Sequence, residues 1–230
     1  MSRRVVGNPV IGTITAISLI IGGWGLLQIT GFELPENLAG AGCWQFLTNL
    51  SLLYTLLVFA IGTLAHMFQS PVLYSLKNYL HPIALALESV VALVYWPLRL
   101  FKPQLILTRD FFLPMDVDLA IHLLPVVSLS IDYFLFMPKW LLSHTSAFLF
   151  VTSLAMGYYL LLKQLVDVEN GAIYPYQFLN VDTELERIVI FFIVGLTGFL
   201  QYLFLQKLYD VIVDGEYNKL TDNEKIKKTT

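Results

Sequence analysis

Six stretches of about 20 predominantly apolar residues follow one another along the chain, each long enough to cross a hydrocarbon core of roughly 30 Å. They run from about Pro9 to Thr30, Trp44 to Phe68, His81 to Phe101, Asp116 to Met137, Leu141 to Lys163 and Arg187 to Val213. Lipid offers no partner to an open backbone group, so each stretch is expected to be helical. None shows the ten-residue alternation of a membrane β-strand, which argues against a barrel. The expected fold is all-α, an integral membrane bundle of six transmembrane helices. Residues 1–230 form one domain, of which 214–230 are a polar cytosolic tail.

Composition points the same way. Hydrophobic residues make up 57% of the chain and charged residues 13%, against about 25% charge in an average soluble domain. That leaves too little polar surface to cover the apolar side chains in water. The net charge of −3 gives no basic footprint, so nucleic acid is not an expected partner. A lone Cys43 cannot close an internal disulfide. The longest connection, about Gln164 to Glu186, is too short for a soluble domain. Neither an internal repeat nor a break within any span is evident, which disfavours a transporter. The first span is longer than the apolar run of a signal peptide, and no small-x-small site precedes Phe32-Glu33-Leu34-Pro35, so it is expected to stay as an anchor.

Charge sets the expected orientation. Arg3, Arg4 and the late lysines Lys207, Lys219, Lys225, Lys227 and Lys228 predict that both termini are cytosolic. Lys77 and Lys139 then fall in cytosolic loops, while Arg99, Lys102 and Arg109 fall on the opposite side, against the positive-inside rule. Lys227-Lys228-Thr229-Thr230 has the form of a dilysine signal. Recognition of Lys227 and Lys228 by a coat complex would address the chain to the endoplasmic reticulum membrane. The alternative is a solvated charged tail.

Ionisable groups inside a span are expensive and usually face the bundle interior or a cavity. Glu88 lies in the third span, and Asp116, Asp118, His122 and Asp132 in the fourth; Thr48 and Asn49 form a polar pair in the second. His66, His81 and His144 read as interfacial histidines, and Glu88 and Asp132 as structural acids. Thr48 and His122 enter from the same side. At 1.5 Å per residue both lie about 6–9 Å inside. Asp118 is one helical turn before His122 and on its face, where it can orient the ring. Hydroxyl, imidazole and carboxylate together make a nucleophile, a base and an orienting group. The competing account gives Thr48 a bond to its own helix carbonyl and His122 a role tying helices together. Asp116, Asp118 and His122 also permit a metal reading, but three ligands on a turn and a half carry little weight. No metal and no cofactor is expected. The loop Gly171-Ala172-Ile173-Tyr174-Pro175-Tyr176 is either an interfacial turn or a rim above the same mouth.

Three of these elements, in this order, resemble one known family. Gly42-Cys43-Trp44-Gln45-Phe46-Leu47-Thr48 is similar to the Trp-x-(Tyr/Phe)-Leu-Thr element of the androgen-induced-gene family, which includes the androgen-dependent tissue-factor-pathway-inhibitor-regulating proteins. His122 with Pro125 and Asp132 resembles its histidine-bearing span, and Ile173-Tyr174-Pro175 its Tyr-Pro loop. The resemblance covers nearly the whole chain and implies a membrane threonine hydrolase acting on fatty acid esters of hydroxy fatty acids. Thr48 would be the nucleophile and His122 the base, with Asp118 and Asn49 in support and a membrane lipid as substrate. The chain departs from the pattern at Gln45, Asn49, Leu123, Leu124 and Pro125, as a divergent, fungal-type member.

Overall fold

Local signals decide where the helices begin. Asn8 caps α1 (Pro9–Thr30) by accepting the Val10 amide, with Pro9 in the first turn. A four-residue helix, α2 (Glu36–Ala39), and a 3-10 turn at Cys43–Gln45 lead to α3 (Leu47–Met67). Ser70 caps α4 (Pro71–Phe101), again with proline in the first turn. Thr183 and Glu186 form a reciprocal capping box that opens α8 (Glu184–Tyr209), three residues before the expected Arg187. A computed structural model describes residues 4–103, 113–140 and 142–214. Arg3, Arg109, Leu141, Lys219, Lys225, Lys227 and Lys228, all used in the expectations above, lie outside those residues.

Among the described residues, six helical segments are long and apolar enough to cross a membrane. The fold is all-α, as expected. In the bundle α3 packs between α1 and α4, α8 lies on α4, and α7 (His144–Leu165) pairs with α8. The third span starts ten residues before His81. Lys77, expected in a loop, is instead a buried residue of α4, 1% exposed, and its Nζ contacts both oxygens of Asp132 at 3.0 and 2.7 Å. A buried charge is tolerated when it is paired, so the polar stretch before His81 stays helical. His66 and His81 are likewise not interfacial: both are buried, His81 completely. His144 is the one that is exposed, contacting Gln206 at 3.0 Å.

The fourth span is broken, contrary to expectation. It consists of α5 (Met115–His122), α6 (Leu124–Ile131) and a π-turn at Asp132–Phe136. Pro125 lacks an amide proton and crowds the carbonyl four residues before it, which ends the first helix at His122. The lack of a helix break therefore no longer argues against transport. Just past the break the His122 carbonyl accepts from the Trp96 indole at 3.3 Å. The π-turn inserts one residue per turn where Asp132 meets Lys77.

Small residues let α1 approach closely, as in other membrane helix pairs. Gly25 is the tightest point: a Cβ there would lie 2.7 Å from Ile121 Cγ2 and 3.1 Å from Ala120 Cβ. Because Ile121 precedes His122, this contact fixes where α5 sits relative to α1.

Candidate active site

Thr48 lies in the first turn of α3, and the approach to that turn is fixed by side-chain amides. Gly42 adopts φ 67°, a conformation open to glycine, and lets the chain turn into the 3-10 segment. Gln45 is fully buried and its Nε2 donates to the carbonyls of Leu38 at 2.8 Å and Gly42 at 2.9 Å. Asn49 Nδ2 donates to the Cys43 carbonyl at 2.7 Å. Tyr158 of α7 donates to the Gln45 carbonyl at 2.7 Å. The neutral amide of Gln45 thus binds two carbonyls in a buried place, a local account of its departure from the family pattern.

His122 closes α5. Its Nδ1 contacts Asp118 Oδ1 at 2.8 Å, while Arg99 Nε donates to Asp118 Oδ2 at 3.1 Å. Asp118 is fully buried and His122 is 4% exposed. Tyr95 stacks on the imidazole with ring centroids 3.4 Å apart and planes at 4°. With Nδ1 held by the carboxylate, Nε2 is the nitrogen available for exchange with a ligand. Arg99, which had opposed the positive-inside rule, carries its charge into an ion pair within the bundle.

Thr48 and His122 line one small cavity of about 60 Å³, together with Asn49, Tyr95, Tyr176 and Cys43. Ile29, Phe32, Leu34, Phe46, Leu113 and Ile121 make the rest of its wall apolar. An apolar wall with a few placed polar groups is the composition of a small-molecule site. Asp116 takes no part: it is exposed and accepts from the Val117 amide. Among the described residues no group of three or more histidine, cysteine or acidic side chains is arranged to hold a metal ion.

The Tyr-Pro loop reaches this cavity. Its Ile173 amide donates to the Asn37 carbonyl at 3.1 Å, and Asn180 braces Tyr174 by bonds to its amide and carbonyl at 2.9 and 3.2 Å. Tyr176 packs edge-on against Phe46 and stacks on Phe178. Its hydroxyl accepts from the Leu47 amide at 3.0 Å and faces the Thr48 side chain. Burial pushes this hydroxyl above the ordinary tyrosine range, partly offset by the Leu47 amide and the Thr48 groups beside it. It therefore remains a neutral donor at neutral pH. The loop is a wall of the site as well as a turn. Sequence reasoning marked the loop but gave Tyr176 no role, and it missed Tyr95 and Arg99. Their signal was the spacing Glu88, Tyr95, Arg99, which follows one face of α4.

Glu88 and Asp132 lie elsewhere. Glu88 is buried and accepts from Thr55 Oγ1 at 2.9 Å, joining α3 to α4. Asp132 belongs to the far end of the bundle with Lys77.

A six-span helical bundle with a hydroxyl and an imidazole lining one mostly apolar cavity defines a multi-pass membrane protein. The chain matches the FAR-17a/AIG1-like protein family over residues 16–210. It is 37% identical over 212 residues to a UPF0641 membrane protein of Saccharomyces cerevisiae, covering 85% of this chain and 88% of that one. A UPF0641 membrane protein of Schizosaccharomyces pombe is 29% identical over 167 residues, 72% of this chain and 74% of that one. No solved structure matches. The chain belongs to the FAR-17a/AIG1-like family, as a divergent member with fungal relatives.

Proposed function

We propose that the protein is a lipid-ester hydrolase working within the membrane. Thr48 Oγ gives its proton to His122 and attacks the ester carbonyl. His122 then protonates the departing alcohol, leaving an acyl-threonine that water hydrolyses by the reverse use of the same base. Asp118 holds the imidazole tautomer and balances its charge when protonated. Tyr176 supplies a hydroxyl donor beside Thr48 for the oxyanion; the Asn49 amide, bound to the Cys43 carbonyl, stands as support for the turn. The proposed substrates are fatty acid esters of hydroxy fatty acids, the class that the sequence resemblance implies. Residence in the endoplasmic reticulum, cytosolic termini and coat recognition of Lys227 and Lys228 complete the proposal.

The observation that carries this reading is the shared cavity of Thr48 and His122, with Nδ1 of the ring committed to a buried aspartate. Purified protein should cleave such esters and be labelled at Thr48 by a fluorophosphonate, with mass spectrometry locating the adduct. Thr48→Ala, still monodisperse, should lose both. Retained turnover in that variant ends the proposal. A second reading, a non-enzymatic endoplasmic-reticulum scaffold or lipid-binding protein, is favoured by the mostly apolar cavity wall. It predicts stoichiometric lipid binding with neither turnover nor labelling.

A further inference from the structure

A second, narrow apolar cleft of about 60 Å³ also reaches Thr48. Val90, Val94 and Leu98 of α4, Val194 of α8 and Phe178 of the loop form its walls. It shares Thr48, Tyr95 and Tyr176 with the His122 cavity, and His122 lines only the first of the two. Val94 of α4 and Phe178 of the loop are 39% and 37% exposed, so this cleft is open at its outer edge, where a chain could enter from the side of the bundle. Thr48 therefore stands where two greasy slots meet, and one of them carries the acid–base group.

Chemistry then assigns the slots. In acyl transfer the imidazolium must reach the oxygen that leaves, so the alcohol part has to lie on the His122 side. The acyl carbon stays bonded to Thr48 Oγ, and its chain must lie in the slot that the alcohol does not occupy. We infer that the cleft between α4 and α8 binds the acyl chain and the His122 cavity binds the alcohol arm, so that the protein takes esters with hydrocarbon on both sides of the ester group. This rests on the hydrolase reading. The steps balance. Thr48 Oγ–H loses its proton to Nε2 as the Oγ–C bond forms, and the C–O bond to the alcohol breaks as that oxygen takes the proton. Water then enters the emptied His122 cavity and gives a proton to Nε2 as its oxygen bonds the carbonyl carbon. The Oγ–C bond breaks and Oγ recovers the proton, with the fatty acid still in its slot.

Two ester series on the purified full chain test this. One varies the acyl chain from four to sixteen carbons on 4-nitrophenol; the other varies the alcohol over the same range with a butyryl group. Val94→Trp and Val194→Trp, on two different helices, should each cut the preference in kcat/KM for long over short acyl chains by about tenfold. Neither should move the preference along the alcohol series. Ile29→Trp, in the His122 cavity, should do the reverse. If a tryptophan variant does not fold, Val194→Ala and Ile29→Ala probe the same slots by enlargement, raising the long-chain preference in one series each. An acyl preference that follows Ile29, or one that moves in both series together or in neither, overturns the assignment. Absence of wild-type turnover, or turnover surviving Thr48→Ala, instead sinks the hydrolase reading itself.

Discussion

The two ends of the bundle are built from the same residue types. At one end Asp118 meets Arg99 of α4 and His122; at the other Asp132 meets Lys77 of α4 and lies near His81. Each is a buried carboxylate between a cation and a histidine. The geometry separates them. His122 Nδ1 is 2.8 Å from its carboxylate, and the ring borders a cavity beside a hydroxyl. His81 Nε2 is 3.7 Å from Asp132, too far for a hydrogen bond, and the ring is enclosed near Tyr133 and Trp140. Tyr133 stacks on Trp140 at 3.8 Å, and Tyr209 ties this packing to the Met137 carbonyl at 2.9 Å. A pocket lies at the Asp132 end too, lined by Tyr74, Asn78, Met137 and Trp140 among others, but His81 is not part of its wall, whereas His122 lines its own cavity beside Thr48. Residue type alone does not make a site; a vacant volume beside an oriented ring does.

The largest contrast lies between the two histidines. His122→Ala should lower ester cleavage by about 10⁴-fold or more, the loss typical of removing a base that works together with its nucleophile. His81→Ala should leave turnover within a few fold and show instead as reduced thermal stability in detergent. Equal losses from both substitutions would mean that the His122 end has no special chemistry. Between these extremes, Asp118→Asn preserves shape while removing the charge that holds the tautomer, so turnover should fall by about 10²–10⁴-fold with little change in KM. An activity close to wild type would reduce Asp118 to a partner for Arg99.

At the Lys77 end the expected effect is on folding. Lys77→Met leaves Asp132 charged and without its nearest cation, an arrangement that destabilises by about 3–5 kcal/mol. Chemical denaturation in detergent should register that loss. The double variant Lys77→Met/Asp132→Leu should recover much of it, because apolar replacement of a buried pair is often neutral. No recovery would show that the pair does more than neutralise itself.

These contrasts mark how far the sequence could be read. The bundle was legible because lipid forces every 20-residue apolar stretch to be helical. Thr48, Asp118 and His122 stood out because polar groups in such stretches are expensive, and equal depth can be counted from the span ends. Lys77 was misplaced by the same logic. Its charge argued for a loop, and its partner Asp132 lies 55 residues away in sequence. His81 and His66 were assigned to the interface for want of any signal of what packs around them. The break at His122 was written in Pro125, yet membrane helices often carry proline without ending. Tyr95 and Tyr176 acquire roles only from the packing of α4 and a loop around Thr48, which no local pattern encodes.

The smallest expected effects come from two glycines, one at each end. A Cβ on Gly25 would meet Ile121 Cγ2 at 2.7 Å and Ala120 at 3.1 Å, on the short helix that carries His122. Both neighbours belong to one rigid segment, so Gly25→Ala should push α5 outward, costing about 1–3 kcal/mol of stability. The displaced ring should lower kcat by about tenfold. A Cβ on Gly62 would meet Lys77 Cδ at 3.2 Å, part of a flexible stem that can yield by a few tenths of an ångström. Gly62→Ala should therefore cost under about 1 kcal/mol, partly offset by the better helix propensity of alanine, and leave turnover unchanged. The same substitution thus reads out position at the His122 end and only packing at the Lys77 end. A fall in kcat from Gly62→Ala with none from Gly25→Ala would reverse that assignment and move the working end of the bundle to Lys77.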